Sequence, residues 1–210
     1  FLLGLTFTFA TFAMVDAAPA PKADKEEQKR LLLKLNDITG DDAITGQIAT
    51  FLEKKNRSST KKLIKVAREM TKDKKAKKQP LNINALYILA RTAAGLSLYD
   101  DSAHFYYINT RQAARLLSIK KLIRSFSGRI DVLYVSGNFK EAEKACQEFM
   151  SLPLRGNEDL DYQKILVLEM LIRTQAKQGK IDQALKLVDT MIKGQSEKSS
   201  WIVRKLKGWV

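Results

Sequence analysis

The sequence predicts an all-α protein, and three observations carry that expectation. Leu, Ala, Lys and Ile are abundant, while Gly and Pro together supply only 14 of the 210 residues. That composition suits helices better than a sandwich or barrel. Apolar residues recur at three- and four-residue intervals along most of the chain, and the alternation expected of half-buried strands is absent. Two hexapeptides, "GNFKEA" at 137–142 and "GKIDQA" at 179–184, share the skeleton Gly, any, apolar, any, any, Ala at a spacing of 42 residues. Each follows one apolar helical pattern and precedes another. With 45% hydrophobic residues the chain can build a substantial core.

The elements follow in order. The chain opens "FLLGLTFTFATFAMVDAAPAPKADKEE". Phe1–Val15 has the length of a signal-peptide core and is short for a membrane span, and Val15 and Ala17 offer small residues for cleavage. Residues 1–17 are therefore expected to be a truncated secretory signal, with 18–24 an Ala/Pro linker; an uncleaved anchor or a buried strand is the other reading. Lys25–Leu35 has helical spacing, with Leu31, Leu32 and Leu35 on one stripe. Asp41 or Asp42 can cap a helix striped by Ile44, Ile48, Phe51 and Leu52. Another helix follows "NRSS", through Leu63, Ile64, Ala67 and Met70, and runs into the basic "KDKKAKKQP". Pro80 closes it.

From residue 83 the pattern is nearly continuous. Leu86, Leu89, Ala90 and Ala93 line a helix ending near Gly95–Ser97. Asp100 or Asp101 is expected to cap the next, through Ala103, Tyr106, Tyr107 and Ala113. Further helices are expected over Ile119–Val135, Phe139–Leu152, Leu160–Gln178 and Ile181–Ile192, with Gly194 as a stop. Residues 199–210, "SWIVRKLKGWV" and its preceding Ser, read as the start of a further amphipathic helix, so the chain reads as part of a longer protein.

Aligning the turns exposes a third, looser copy of the skeleton in "SLYDDSA" at 97–103. Tyr99 fills the apolar slot and Ser102 the small one, so Ser102, Ala142 and Ala184 lie 40 and 42 residues apart. A small residue is needed where two helix backbones cross, hence Ser102, Ala142 and Ala184. A large apolar residue just inside the second helix plugs the gap, hence Tyr99, Phe139 and Ile181. Gly137 and Gly179 suit the left-handed conformation that ends a helix. A helix pair of this kind cannot bury both its faces alone, so it stacks on copies of itself.

On "YVSGNFKEAEKACQEF", "QAKQGKIDQALKLVDTMI" and the looser "ILARTAAGLSLYDDSAHFYY", residues 83–194 resemble the tetratricopeptide-repeat (TPR) family. The spacing of 40–42 departs from the family's repeat of about 34 residues. Ile130 and Ile172 stand where the family prefers a small residue, and Gln175 where it prefers an aromatic. Residues 41–78 are open to reading as a more degenerate pair. The resemblance implies a TPR-like α-solenoid whose first helices line a groove for extended peptides or partner helices. The groove residues it implies are Tyr87 and Arg91; Arg124, Asp131 and Tyr134; and Arg173 and Lys177. Four cations and two tyrosines suit an acidic or C-terminal segment, although an ordinary charged solvent face has the same pattern.

Catalytic constellations are not evident. His104 is the sole histidine and sits among Phe105, Tyr106 and Tyr107, as a packing or surface histidine would. Cys146 is the sole cysteine, which excludes an intrachain disulfide and a cysteine-rich zinc site. Its neighbours Ala142, Ala145 and Phe149 mark it as a small buried hydrophobe. The glycines do not form a phosphate cradle, and the Asp pairs at 41–42 and 100–101 stand at helix starts, where capping explains them. No metal, cofactor or enzymatic activity is expected.

The formal charge of +14 is uneven: residues 1–53 carry −3, residues 54–78 carry +10, and residues 79–210 carry +7. Lys61, Lys62, Lys65, Arg68, Lys74, Lys75, Lys77 and Lys78 could meet an anionic membrane or polymer, or be a solvated helix end. Nucleic acid fits less well, because no aromatics are interleaved for base stacking. The expected function is a non-catalytic, exported protein–protein interaction scaffold. The alternatives are an accessory repeat domain of a larger exported enzyme, and nucleic-acid or anionic-polymer binding through 54–78.

Overall fold

The computed structural model describes residues 21–40, 43, 46, 57–72, 80–153 and 158–194, with the side chains of 21–23, 158–161 and 192–194 excepted. Among these residues there are eight α-helices, one 3-10 turn and no strand. The helices are α1 (Pro21–Lys34), α2 (Arg57–Met70), α3 (Ile83–Gly95), α4 (Tyr99–Arg115), α5 (Ile119–Val135), α6 (Phe139–Met150), α7 (Glu158–Lys177) and α8 (Ile181–Gly194). The 3-10 turn, Leu35–Asp37, follows α1. The all-α expectation holds. α1 begins at Pro21, inside the stretch expected to be a linker, because proline is tolerated in a helix's first turn, where no amide partner is needed. The expected signal at 1–17, the stripe Ile44/Ile48/Phe51/Leu52, the Asp41–Asp42 cap and the helix at 199–210 lie outside the described residues.

Four short turns share one backbone solution. Ser97 (φ 60°), Leu117 (φ 52°), Gly137 (φ 77°) and Gly179 (φ 75°) occupy the left-handed region. In each turn the next residue's amide reaches back five residues: Leu98 to Ala93, Ser118 to Ala113, Asn138 to Leu133 and Lys180 to Gln175, at 2.9–3.0 Å. This is the Schellman arrangement, which satisfies the last carbonyls of the preceding helix. It also feeds the chain straight into the next helix. Leu98 therefore stands at the N-cap of α4 without a side-chain cap bond, and Asp100 and Asp101 fall in the first turn instead. There they favour the helix dipole rather than capping an amide, which corrects the expected role.

α3 packs on α4, α4 on α5, α5 on α6, α6 on α7 and α7 on α8. Beyond these sequential contacts, α3 touches α5 and α5 touches α7. At the expected small slots, Ser102, Ala142 and Ala184 are fully buried, and Ser102 Oγ donates to Ala90 O at 2.7 Å. The plug slots differ among themselves. Tyr99 is half-buried against the first core cluster, and Phe139 meets Tyr134 edge-on at 5.5 Å. Ile181 remains 40% exposed, and polar side chains hold that corner together.

α2 packs on α1, α3 and α4. Leu32, Leu35, Leu63, Ile64 and Ala67 join Leu86, Leu89, Phe105 and Tyr106 in one buried cluster. Paired asparagines seat the segment on α3. Asn82 N donates to Asn36 Oδ1 (2.8 Å), Asn82 Nδ2 to Asn36 O (2.7 Å) and Asn36 Nδ2 to Pro80 O (2.8 Å). Asn82 also caps α3 by accepting from the amides of Asn84 and Ala85.

Candidate protein-binding face

Where α3 and α5 meet lie four of the predicted groove residues, Tyr87, Arg91, Arg124 and Asp131. On α3, Asn84, Tyr87 and Arg91 follow at three- and four-residue steps, as do Lys121, Arg124, Gly128 and Asp131 on α5, so each set shares one side of its helix. Two clusters form where these sides meet.

The first centres on Tyr106, buried on α4. Its ring lies edge-on to Tyr87, with centroids 6.0 Å apart and an interplanar angle of 72°. Gly128 makes this placement possible, since a Cβ there would stand 2.4 Å from the Tyr106 ring. Arg91 lies close enough to the Tyr106 hydroxyl to act on it electrostatically. Burial, with a smaller contribution from Tyr87, pushes the phenol's pKa far up, and Arg91 opposes this. Surrounding protein likewise raises the Asp131 carboxyl above the usual range, with Arg91 again opposing. Tyr87, Arg91 and Asp131 therefore act as one electrostatic group around a neutral phenol.

The second cluster is a narrow niche lined by Asn84, Tyr87, Asn109, Lys121, Arg124 and Ser125. Lys121 Nζ donates to Asn84 Oδ1 at 2.8 Å. Asn109 is 1% exposed; its Nδ2 donates to Ile83 O at 2.8 Å, while its buried Oδ1 has no hydrogen-bond partner. A buried acceptor left in this state costs free energy, about 1–3 kcal/mol, until a donor reaches it.

The remaining predicted groove residues are placed differently. Tyr134 packs against Phe139 at the α5–α6 corner. Arg173 is ion-paired with Glu169 one turn earlier on α7, and Lys177 is exposed at that helix's end. Neither belongs to the two clusters. The sequence reading missed Asn84, Tyr106, Asn109, Lys121 and Gly128. Asn84 and Lys121 were within reach of the periodicity that singled out Tyr87 and Arg124. Asn109 signalled itself as an amide in the buried stripe of α4 that also holds Phe105, Tyr106 and Ala113, whereas the service Gly128 does for Tyr106 is visible only in three dimensions.

The other singled-out groups lie away from these clusters. His104 Nε2 lies 2.9 Å from Thr71 Oγ1, and its ring meets Phe105 edge-on. Burial, then the charges of Arg68 and Lys72, lower its pKa to about 4. Cys146 is buried, and burial, then Glu143 and Asp131, push its thiol up to about 12, so it is a thiol at neutral pH. On α2, Lys61, Lys62 and Lys65 are exposed. Arg68 is a strut instead: its guanidinium donates to Asp100 O at 3.0 Å and pairs with Asp101 at 3.6 Å. Lys74, Lys75, Lys77 and Lys78 lie outside the described residues. Between α4, α5 and α6 a pocket of about 270 Å³ opens beside Tyr107, Phe126 and Glu148. The buried Arg129 guanidinium there pairs with Glu148 at 2.6 Å and lies 5.0 Å over the Tyr107 ring.

Among the described residues, no group of three or more His, Cys, Asp or Glu could hold a metal ion, and no helix is long and apolar enough to cross a membrane. Comparison with known protein families, curated proteins and solved structures finds no match to this chain.

Proposed function

We propose that this chain is a non-catalytic interaction scaffold of an exported protein, built as a TPR-like stack of helix pairs. Its α3–α5–α7 face binds an extended peptide or partner segment carrying an acidic group. One observation carries the reading: Asn109, whose buried Oδ1 has no hydrogen-bond partner, lines a niche together with Tyr87, Lys121 and Arg124. The acceptor takes a peptide N–H, the tyrosine ring supplies a flat apolar wall, and the cations favour a carboxylate nearby. The contacts of α3 with α5 and of α5 with α7 supply a continuous surface for an extended ligand. The four alike turns support construction by repetition.

Selection of displayed peptides against the full chain tests this. Acidic peptides are expected to emerge, and Arg91→Glu/Arg124→Glu is expected to weaken their binding by at least about tenfold through charge repulsion. Peptides that bind this double variant as well as the parent would place the ligand elsewhere and sink the reading.

A further inference from the structure

The cations of α2 are arranged against the stability of their own helix. α2 has no acidic residue in its first turn, where the dipole calls for one, and Arg57 stands there instead. Arg57, Lys61 and Lys65 follow at four-residue steps, a like-charge series that destabilises a helix. The opposite side of α2 is committed to the core through Thr60, Leu63, Ile64, Val66 and Ala67. Nearer the helix's C-terminal end the charges are matched, with Lys25 on Glu69 at 2.6 Å and Arg68 on Asp101 at 3.6 Å. Positive charge is thus concentrated on one exposed stripe, Arg57, Lys61, Lys62 and Lys65, with the carboxylates of Asp24 and Glu69 beside only its Lys62/Lys65 end.

The first turn of α1 lies beside this stripe. Asp24, Lys25 and Gln28 line one shallow pocket together with Lys62, Lys65, Val66 and Glu69 of α2. The residues before α1 include the apolar stretch Phe1–Val15, with only five residues between it and Pro21. Any bilayer that holds this apolar stretch lies within five residues, along the chain, of the α1 turn that adjoins Lys62 and Lys65. The stripe carries no aromatic side chain on which a nucleobase could stack.

We infer that the Arg57/Lys61/Lys62/Lys65 face of α2 is a docking surface for an anionic lipid bilayer. Basic side chains close to such a surface draw the protein to it additively, and an apolar segment plus a basic patch make the two signals that lasting attachment needs. Attachment orients the molecule, because the stripe belongs to the N-terminal end and the α3–α5–α7 face to the body of the chain.

Co-sedimentation of the full chain with phosphatidylglycerol-containing vesicles, and with neutral phosphatidylcholine vesicles as reference, tests the inference. Preference for the anionic vesicles is expected to reach about a hundredfold at low salt and to fall as salt rises. Lys61→Glu/Lys62→Glu/Lys65→Glu is expected to abolish the preference with an unchanged helical circular-dichroism spectrum, while the corresponding triple change to Arg keeps it. Equal binding to neutral vesicles, or an unaffected Glu variant, overturns the proposal. So does duplex DNA that strips the protein from the vesicles at equal phosphate concentration, since the surface would then serve nucleic acid. A Glu variant that loses its helical spectrum transfers the decision to the Arg variant, whose loss of binding would equally overturn it.

Discussion

Leu117 holds a left-handed backbone, φ 52°, that its side chain resists. The side chain gains nothing in return, because it is 86% exposed at the α4–α5 turn. A non-glycine residue in this region costs about 1–2 kcal/mol, and part of that is returned when glycine, with its freer unfolded chain, replaces it. Leu117→Gly is accordingly expected to stabilise the protein by about 0.5–1 kcal/mol, read as a higher urea midpoint at unchanged slope; a lower midpoint would refute the strain argument. His104 gives a second residue-scale prediction. Its pKa is lowered from 6.5 to about 4, chiefly by burial. As pH falls, the unfolded chain takes the proton first, so the contribution of His104 is present above about pH 6.5 and is lost as pH falls toward 4. Urea midpoints at pH 7 and pH 5 are expected to differ, and the difference is expected to shrink in His104→Gln. An undiminished difference would assign the effect to other groups.

At the scale of elements, Glu143 couples α6 to the α7–α8 corner. Its carboxylate accepts from Gln175 Nε2 (3.1 Å), Gln178 Nε2 (2.9 Å) and Lys180 Nζ (2.5 Å). Gln178 Nε2 also reaches Phe139 O at 3.3 Å. Burial favours the protonated acid, but the bonds from Lys180, Gln175 and Gln178 outweigh it and leave the pKa below the usual value. The sign follows: this contribution is present above the ordinary carboxylate range and disappears as pH falls through the lowered value. Glu143→Ala strips the acceptor from three donors and is expected to cost about 2 kcal/mol. The loss should fall first on α7 and α8, whose own buried cluster is small, containing Ile172, Ala184, Val188 and Met191. Amide exchange that accelerates equally in α3 and α4 would contradict this local coupling. The same contacts explain why Ile181 need not plug its corner, for the Glu143 hub already spans it.

Across the whole molecule, much was legible from residue order. Helix α5 lies at the Ile119–Val135 predicted for it, and α6, α7 and α8 start or stop within two residues of expectation, because apolar periodicity and turn residues are local signals. Gly137 and Gly179 announced their left-handed turns, since only glycine is indifferent to that conformation. The turn at Leu117 escaped notice for the converse reason: packing of α4 on α5 enforces a conformation that the local residue disfavours. With it, turns fall at 97, 117 and 137, so the connection between expected repeats matches those within them. Periodicity along each helix sufficed to group Tyr87 with Arg91 on α3 and Arg124 with Asp131 on α5. Only tertiary packing decided that Tyr134 turns to Phe139, that Arg68 is spent on Asp101, and that Asn109 keeps a buried acceptor without a donor. Those outcomes depend on residues 5 to 33 positions apart meeting across helices, and spacing along a single helix holds no information about them.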